Sequence, residues 1–203
     1  MESRVEPLPI SGAWKVTPTA FVDDRGSLHE PFHGGQFAVA TGIDLAVQQA
    51  TCSVSHHGVL RGIRVTAETG PAKYVTCTAG AVLDVVVDVR VGSATFGRWH
   101  AERLDHENRT ALYLAPELGH AFLTLSDTAT LLYLLSRPHQ DAYERTVNAL
   151  DPDLAITWPP GITLQRSARD TAAPGLFEAH QARTLPSYAA WSALHRDPAM
   201  HRS

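Results

Sequence analysis

Turn signals recur about every ten residues in the middle of this chain, each between short β-branched or apolar runs. KYVTCTAGAVLDVVVDVR at 73–90 holds two such runs around a Thr-Ala-Gly turn, and Val85, Val87 and Val89 alternate with Val86, Asp88 and Arg90. ALYLAPELGHAFLTLSDTATLLYLLS at 111–136 holds three more, broken at Pro116–Gly119 and at Ser126-Asp127. Short strands at this spacing predict an all-β sandwich or barrel. Helix signals are few: Gly35–Thr41 closed by Gly42, and a tail from Tyr188 to His195. Pro159-Pro160-Gly161 breaks the chain after Trp158, so the last forty residues are expected as loop and helix covering the barrel.

With 203 residues, 44% of them hydrophobic, one domain over 1–203 is expected, with its core at about 15–175 and a loop and helix extension at 176–203. A net charge of -4 gives no whole-chain argument for nucleic acid or an anionic membrane, so anion binding must come from locally placed Arg and Lys. No stretch approaches the ~18 apolar residues that span a bilayer, and the first residues lack the pattern of a secretory signal. Cys52 and Cys77 have no CxxC spacing and are expected as small core residues, not as a disulfide or a metal pair. The expected location is cytoplasmic.

Specific segments carry the chemistry. DDRGSLHE at 23–30, SVSHHGVLRGI at 53–63, the run from Pro71 to Gly97, and PELGHAFLTLSDTATLLY at 116–133 follow one another, with LDPDLAITWP at 150–159 and SARD at 167–170 behind them. In this order they resemble the dTDP-4-dehydrorhamnose 3,5-epimerases, over roughly residues 15–175. GHAF, AKYV and TLLYLLSR bring the chain nearer to the epimerases that tailor antibiotic deoxysugars than to those making cell-wall rhamnose. The resemblance implies a cupin jelly-roll barrel, a homodimer that exchanges strands, and a dTDP-4-keto-6-deoxyhexose as substrate. It implies no metal and no redox cofactor, since the C4 ketone acidifies the hydrogens on C3 and C5 and a base, an enolate stabiliser and an opposite-face acid suffice.

The same resemblance distributes the roles. Arg25 and Arg61 are expected on the diphosphate, which a planar guanidinium fork suits. Glu30 and Gln49 are expected around the nucleotide, Ser53 among the substrate-binding residues, and His120 as a pocket-lining or phosphate-side residue. Lys73 would polarise the C4 carbonyl and Tyr133 would be the opposite-face acid. Metal-binding cupins show a His-x-His pair, whereas His56 and His57 are adjacent and would point apart on a strand.

One position departs from the family pattern. The motif R-G-x-H ends in the family's base, and here it reads Arg61-Gly62-Ile63-Arg64. The carboxylate that would orient that histidine survives as Asp170, so Arg64 and Asp170 are expected to form an ion pair. An arginine, with a pKa above ~12, is a poor proton abstractor. Three readings stay open: another base, with His139 the first candidate; a pocket that binds the nucleotide sugar without epimerising it; or a related proton transfer with Arg64 as electrostatic stabiliser.

Overall fold

The computed structural model describes residues 3–66 and 70–194. Thirteen strands and four short α-helices occur among them. In chain order the strands are β1 (Arg4–Pro7), β2 (Ala13–Thr17), β3 (Ala20–Asp23), β4 (Gly26–His29), β5 (Gln49–His56), β6 (Leu60–Thr66) and β7 (Lys73–Ala79). They continue as β8 (Ala81–Val87), β9 (Trp99–Asp105), β10 (Ala111–Leu114), β11 (Gly119–Thr124), β12 (Thr128–Leu135) and β13 (Glu144–Thr146). The helices are α1 (Gly34–Thr41), α2 (Ala168–Thr171), α3 (Leu176–Gln181) and α4 (Tyr188–Leu194).

Two antiparallel sheets form the barrel, a six-stranded one in the order β1-β2-β10-β7-β12-β5 and a five-stranded one in the order β13-β6-β11-β8-β9. β3 and β4 make a separate hairpin. The all-β expectation holds, and the strand breaks fall where the turn signals stand, at Gly80, 115–118 and 125–127. The six-stranded sheet already begins at Arg4, upstream of the matched segments. The short RVEP run carries too little β-branched signal to announce a strand and is held by pairing with β2.

The side-chain alternation of β8 sorts residues into two cores. Val82 and Val86 face the space between the sheets, with Tyr74, Leu112, Phe122 and Leu131. Val85, Val87 and Val89 face outward, against Leu60, Ile63, Leu123, Val147, Leu154 and Leu176. That outer face of the five-stranded sheet is covered by apolar residues between 147 and 185, so the cover begins ahead of the Pro-Pro-Gly break and not after it. α1 starts on the His33 side chain, which accepts from the Gln36 N–H, and stops at Gly42 in the left-handed region. The tail helix is found over Tyr188–Leu194, and His195 lies outside the described residues. No helix among the described residues is long and apolar enough to cross a membrane.

Candidate active site

A cavity of about 350 Å³ opens between the two sheets. The six-stranded wall supplies Gln49, Thr51 and Ser53 from β5, Lys73 from β7, and Tyr133 and Leu135 from β12. These residues follow from period-two alternation and register: Tyr133 pairs with Thr51, while Leu135 pairs with Gln49 on one side and Lys73 on the other. The five-stranded wall supplies Arg61 and Arg64 from β6 and His120 and Phe122 from β11. Two arginines three residues apart would face opposite ways on a regular strand. A register shift where β6 meets β11, between His120 and Phe122, brings both into the cavity. Gly62 makes that possible, because its φ is +106° and a Cβ there would run into the His120 carbonyl.

The charged groups have distinct partners. Arg61 Nε donates to Ser55 Oγ at 3.0 Å. Arg64 is held on three sides: Nη2 lies 2.7 Å from Asp170 Oδ1, and Nη1 reaches Glu144 Oε1 at 3.2 Å and Thr146 Oγ1 at 3.1 Å. The expected ion pair with Asp170 is therefore present. Asp170 is buried on α2, where its N–H donates to Ser167 Oγ and its Oδ2 accepts from the same hydroxyl at 2.7 Å. Glu144 is a hub that also meets Arg169 Nη1 at 2.9 Å and His139 Nε2 at 3.6 Å.

The Lys73 ammonium makes no ion pair or hydrogen bond among the described residues, and burial lowers its pKa from 10.5. Arg64 adds to that lowering, while the carboxylates of Glu144 and Asp84 oppose it. Tyr133 moves the other way: burial raises its pKa well above 10.0, Asp84 adds to the rise, and Arg61 opposes it. The cavity thus holds a protonated phenol beside an ammonium whose proton is loosened. His120 is buried at the cavity wall, with Nε2 at 2.8 and 2.9 Å from the two carboxylate oxygens of Asp84. Its ring stands edge-on to that of Tyr133, with centroids 5.8 Å apart.

Gln49, Ser53, Arg61, Arg64, Lys73, His120, Tyr133 and His139 line this one cavity, with Asp170 bonded behind Arg64. Arg25 and Glu30 do not line it. Arg25 sits at the tip of the β3–β4 hairpin, exposed and turned onto Asp23 at 2.6 Å, and Glu30 follows the hairpin. His139 is anchored by its N–H to Gln49 Oε1 at 2.8 Å and by its Nε2 to Asp141 at 2.9 Å. His139, Asp141 and Glu144 place ligand atoms within 4.8 Å of one another, a spacing compatible with a cation at the cavity rim. Sequence reasoning missed Asp84, Glu144 and Arg169. Asp84 does carry a signal, as an acid inside an otherwise apolar strand that must be paired if buried.

The model of a family described as dTDP-4-dehydrorhamnose 3,5-epimerase matches residues 7–178. The dTDP-4-dehydro-6-deoxyglucose 3-epimerase of Streptomyces bikiniensis is 50% identical over 188 residues, or 92% of this chain and 96% of that one. NovW, a 4-keto-6-deoxy sugar epimerase from the novobiocin biosynthetic gene cluster of Streptomyces spheroides, superposes with a TM-score of 0.90 at 48% identity, covering 93% and 95% of the two chains. ChmJ, a 3'-monoepimerase from Streptomyces bikiniensis solved with dTDP-quinovose, gives 0.91 at 49% identity, covering 97% and 98%.

Proposed function

This chain belongs to the dTDP-4-dehydrorhamnose 3,5-epimerase family, and on that premise we propose that it epimerises a dTDP-4-keto-6-deoxyhexose at C3, C5 or both. The observation that carries the reading is the convergence of Lys73, Tyr133 and Arg61 on one cavity with an imidazole facing them. Arg61 grips the diphosphate. Lys73 takes up the charge that develops on the C4 oxygen as a C3 or C5 proton leaves. Tyr133, kept protonated by burial, returns a proton from its own wall. Arg64, locked between Asp170 and Glu144, is a fixed positive charge beside the enolate and takes no proton.

The active form is a homodimer in this reading. The β3–β4 hairpin stands apart from both sheets and exposes Phe21, Val22 and Leu28, an apolar surface that a lone chain leaves in water. Docked on a second copy, it would bring Arg25 and Glu30 to the nucleotide end of that copy's cavity.

The test is solvent exchange: incubate the protein with dTDP-4-keto-6-deoxyglucose in heavy water and follow C3 and C5 by NMR. Deuterium at either carbon is the expected result. Binding of the nucleotide sugar without incorporation would overturn epimerisation of this substrate in favour of a cupin that only holds it.

A further inference from the structure

A site whose family base position is occupied by a locked arginine needs its proton acceptor elsewhere. We propose that His120, oriented by Asp84, is the base of this enzyme; the assignment rests on the epimerase reading above. His120 on β11 is the cross-strand partner of Arg64 on β6, so the two side chains leave the same face of the five-stranded sheet about 5 Å apart at Cβ. An imidazole one strand over reaches the space that a histidine at position 64 would serve.

The second observation is the pairing of its ring. Asp84 is fully buried, and both of its oxygens lie within hydrogen-bond distance of Nε2. Nε2 therefore carries the proton that it donates to the carboxylate, and Nδ1 keeps the lone pair. Nδ1 has no partner among the described residues, although the side chain is only 6% exposed. A carboxylate holding one ring nitrogen while the other waits unpaired in a cavity is the arrangement that fixes a tautomer and steadies an imidazolium.

The third is placement. His120 belongs to the five-stranded wall and Tyr133 to the six-stranded wall, so acid and base approach a bound sugar from opposing sheets. His139 is placed differently, and its Nε2 is already held by Asp141 and Glu144. It follows β12, the strand of Tyr133, and its backbone is tied to Gln49 on β5 of that same sheet.

Nδ1 takes the proton from C3, and the C–H bonding pair becomes the C3–C4 enolate with its charge on O4 against Lys73. Tyr133 gives its proton to C3 from the other wall as the enolate pair reforms the C–H bond. An imidazolium and a phenolate remain; solvent takes the proton from the imidazolium and returns one to the phenolate, which restores both and carries deuterium into the product.

The experiment compares His120→Gln, Asp84→Asn and His139→Gln with the unaltered protein in the heavy-water assay, each with dTDP binding measured by calorimetry. Deuterium incorporation by His120→Gln should fall on the order of 10²–10⁴-fold with dTDP affinity kept within a few-fold, and His139→Gln should lose less. Asp84→Asn should lower kcat while KM stays near that of the unaltered protein, which a merely structural role would not do. If His120→Gln fails to fold, Asp84→Asn decides, because an asparagine there no longer selects the tautomer. Incorporation retained in His120→Gln, in Asp84→Asn as the deciding variant, or lost more deeply in His139→Gln overturns the assignment and leaves the epimerase reading standing. No incorporation by the unaltered protein overturns both.

Discussion

Lys73 and Tyr133 sit on neighbouring strands of one sheet, and the same loss of water pushes their ionisation in opposite directions. Burial favours the neutral form of each, so the phenol holds its proton and the ammonium lets go of its own more readily. For Lys73 the sign is direct. Its folded pKa lies below 10.5, so the charge that polarises the carbonyl is present below that lowered value and disappears as pH rises through it. The alkaline limb of deuterium exchange should therefore fall before pH 10.5, and Lys73→Met should lose on the order of 10²–10³-fold in kcat. Tyr133→Phe removes the acid without changing ring packing. It should abolish net epimerisation, about 10²–10⁴-fold, with dTDP binding nearly intact by calorimetry. At this scale residue type and motif order identified Arg61, Lys73, His120 and Tyr133 as neighbours of one cavity. They did not identify Asp84, because which buried acid meets which histidine depends on the register of β8 against β11.

The β3–β4 hairpin is the element whose sequence and placement pull apart. DDRG puts Arg25 at a tight turn, with Asp23 accepting from the Arg25 N–H, so the hairpin itself was readable. Its position away from the cavity was not, since nothing local says which body a hairpin packs against. Phe21 at 58% exposure, Val22 at 73% and Leu28 at 66% would be costly as a solvent face and cheap as an interface. β5 adds to this, an eight-residue edge strand with Val54 exposed. Replacing Phe21 and Leu28 together with serine should shift the protein toward monomer in light-scattering chromatography and weaken dTDP binding, because Arg25 and Glu30 are then no longer delivered to a neighbouring cavity. A variant that is monomeric and binds dTDP as tightly as the parent would remove the hairpin from the site.

Across the whole molecule, a single buried ion pair ties the ends of the chain to the barrel. Arg90 Nε and Nη2 both lie 2.9 Å from the Asp88 carboxylate, and neither side chain is exposed. Arg90 also donates to the Ser11 carbonyl and lies over the rings of Tyr188 and Trp191 of α4, at 5.1 and 4.3 Å from their centroids. Burial works against the Asp88 carboxylate, but Arg90 and the hydroxyls of Ser93 and Thr95 outweigh it and lower its pKa below 3.8. A depressed carboxyl contributes stability that is present above 3.8 and is lost as pH falls through the folded value. Asp88→Asn should destabilise the fold by about 3–5 kcal/mol in urea unfolding at neutral pH, because it strands a buried guanidinium. The gap to the parent should narrow as pH falls below 3.8.

The division between chain and fold follows from what each interaction depends on. Strand positions, turns, the closing glycine of α1 and the apolar alternation of β8 depend on residues a few places apart, so they could be read in order along the sequence. Motif order along the chain likewise carried the family. The Arg64–Asp170 pair was legible too, since two matched positions implied it. What only the tertiary structure decided joins residues far apart in the chain: Asp84 under His120, Glu144 between Arg64 and Arg169, and Arg25 outside the cavity it was expected to line. The first two depend on the pairing of one strand with a distant one, where a shift of one residue in register would turn the side chain to the other face, and the third on which body a hairpin packs against.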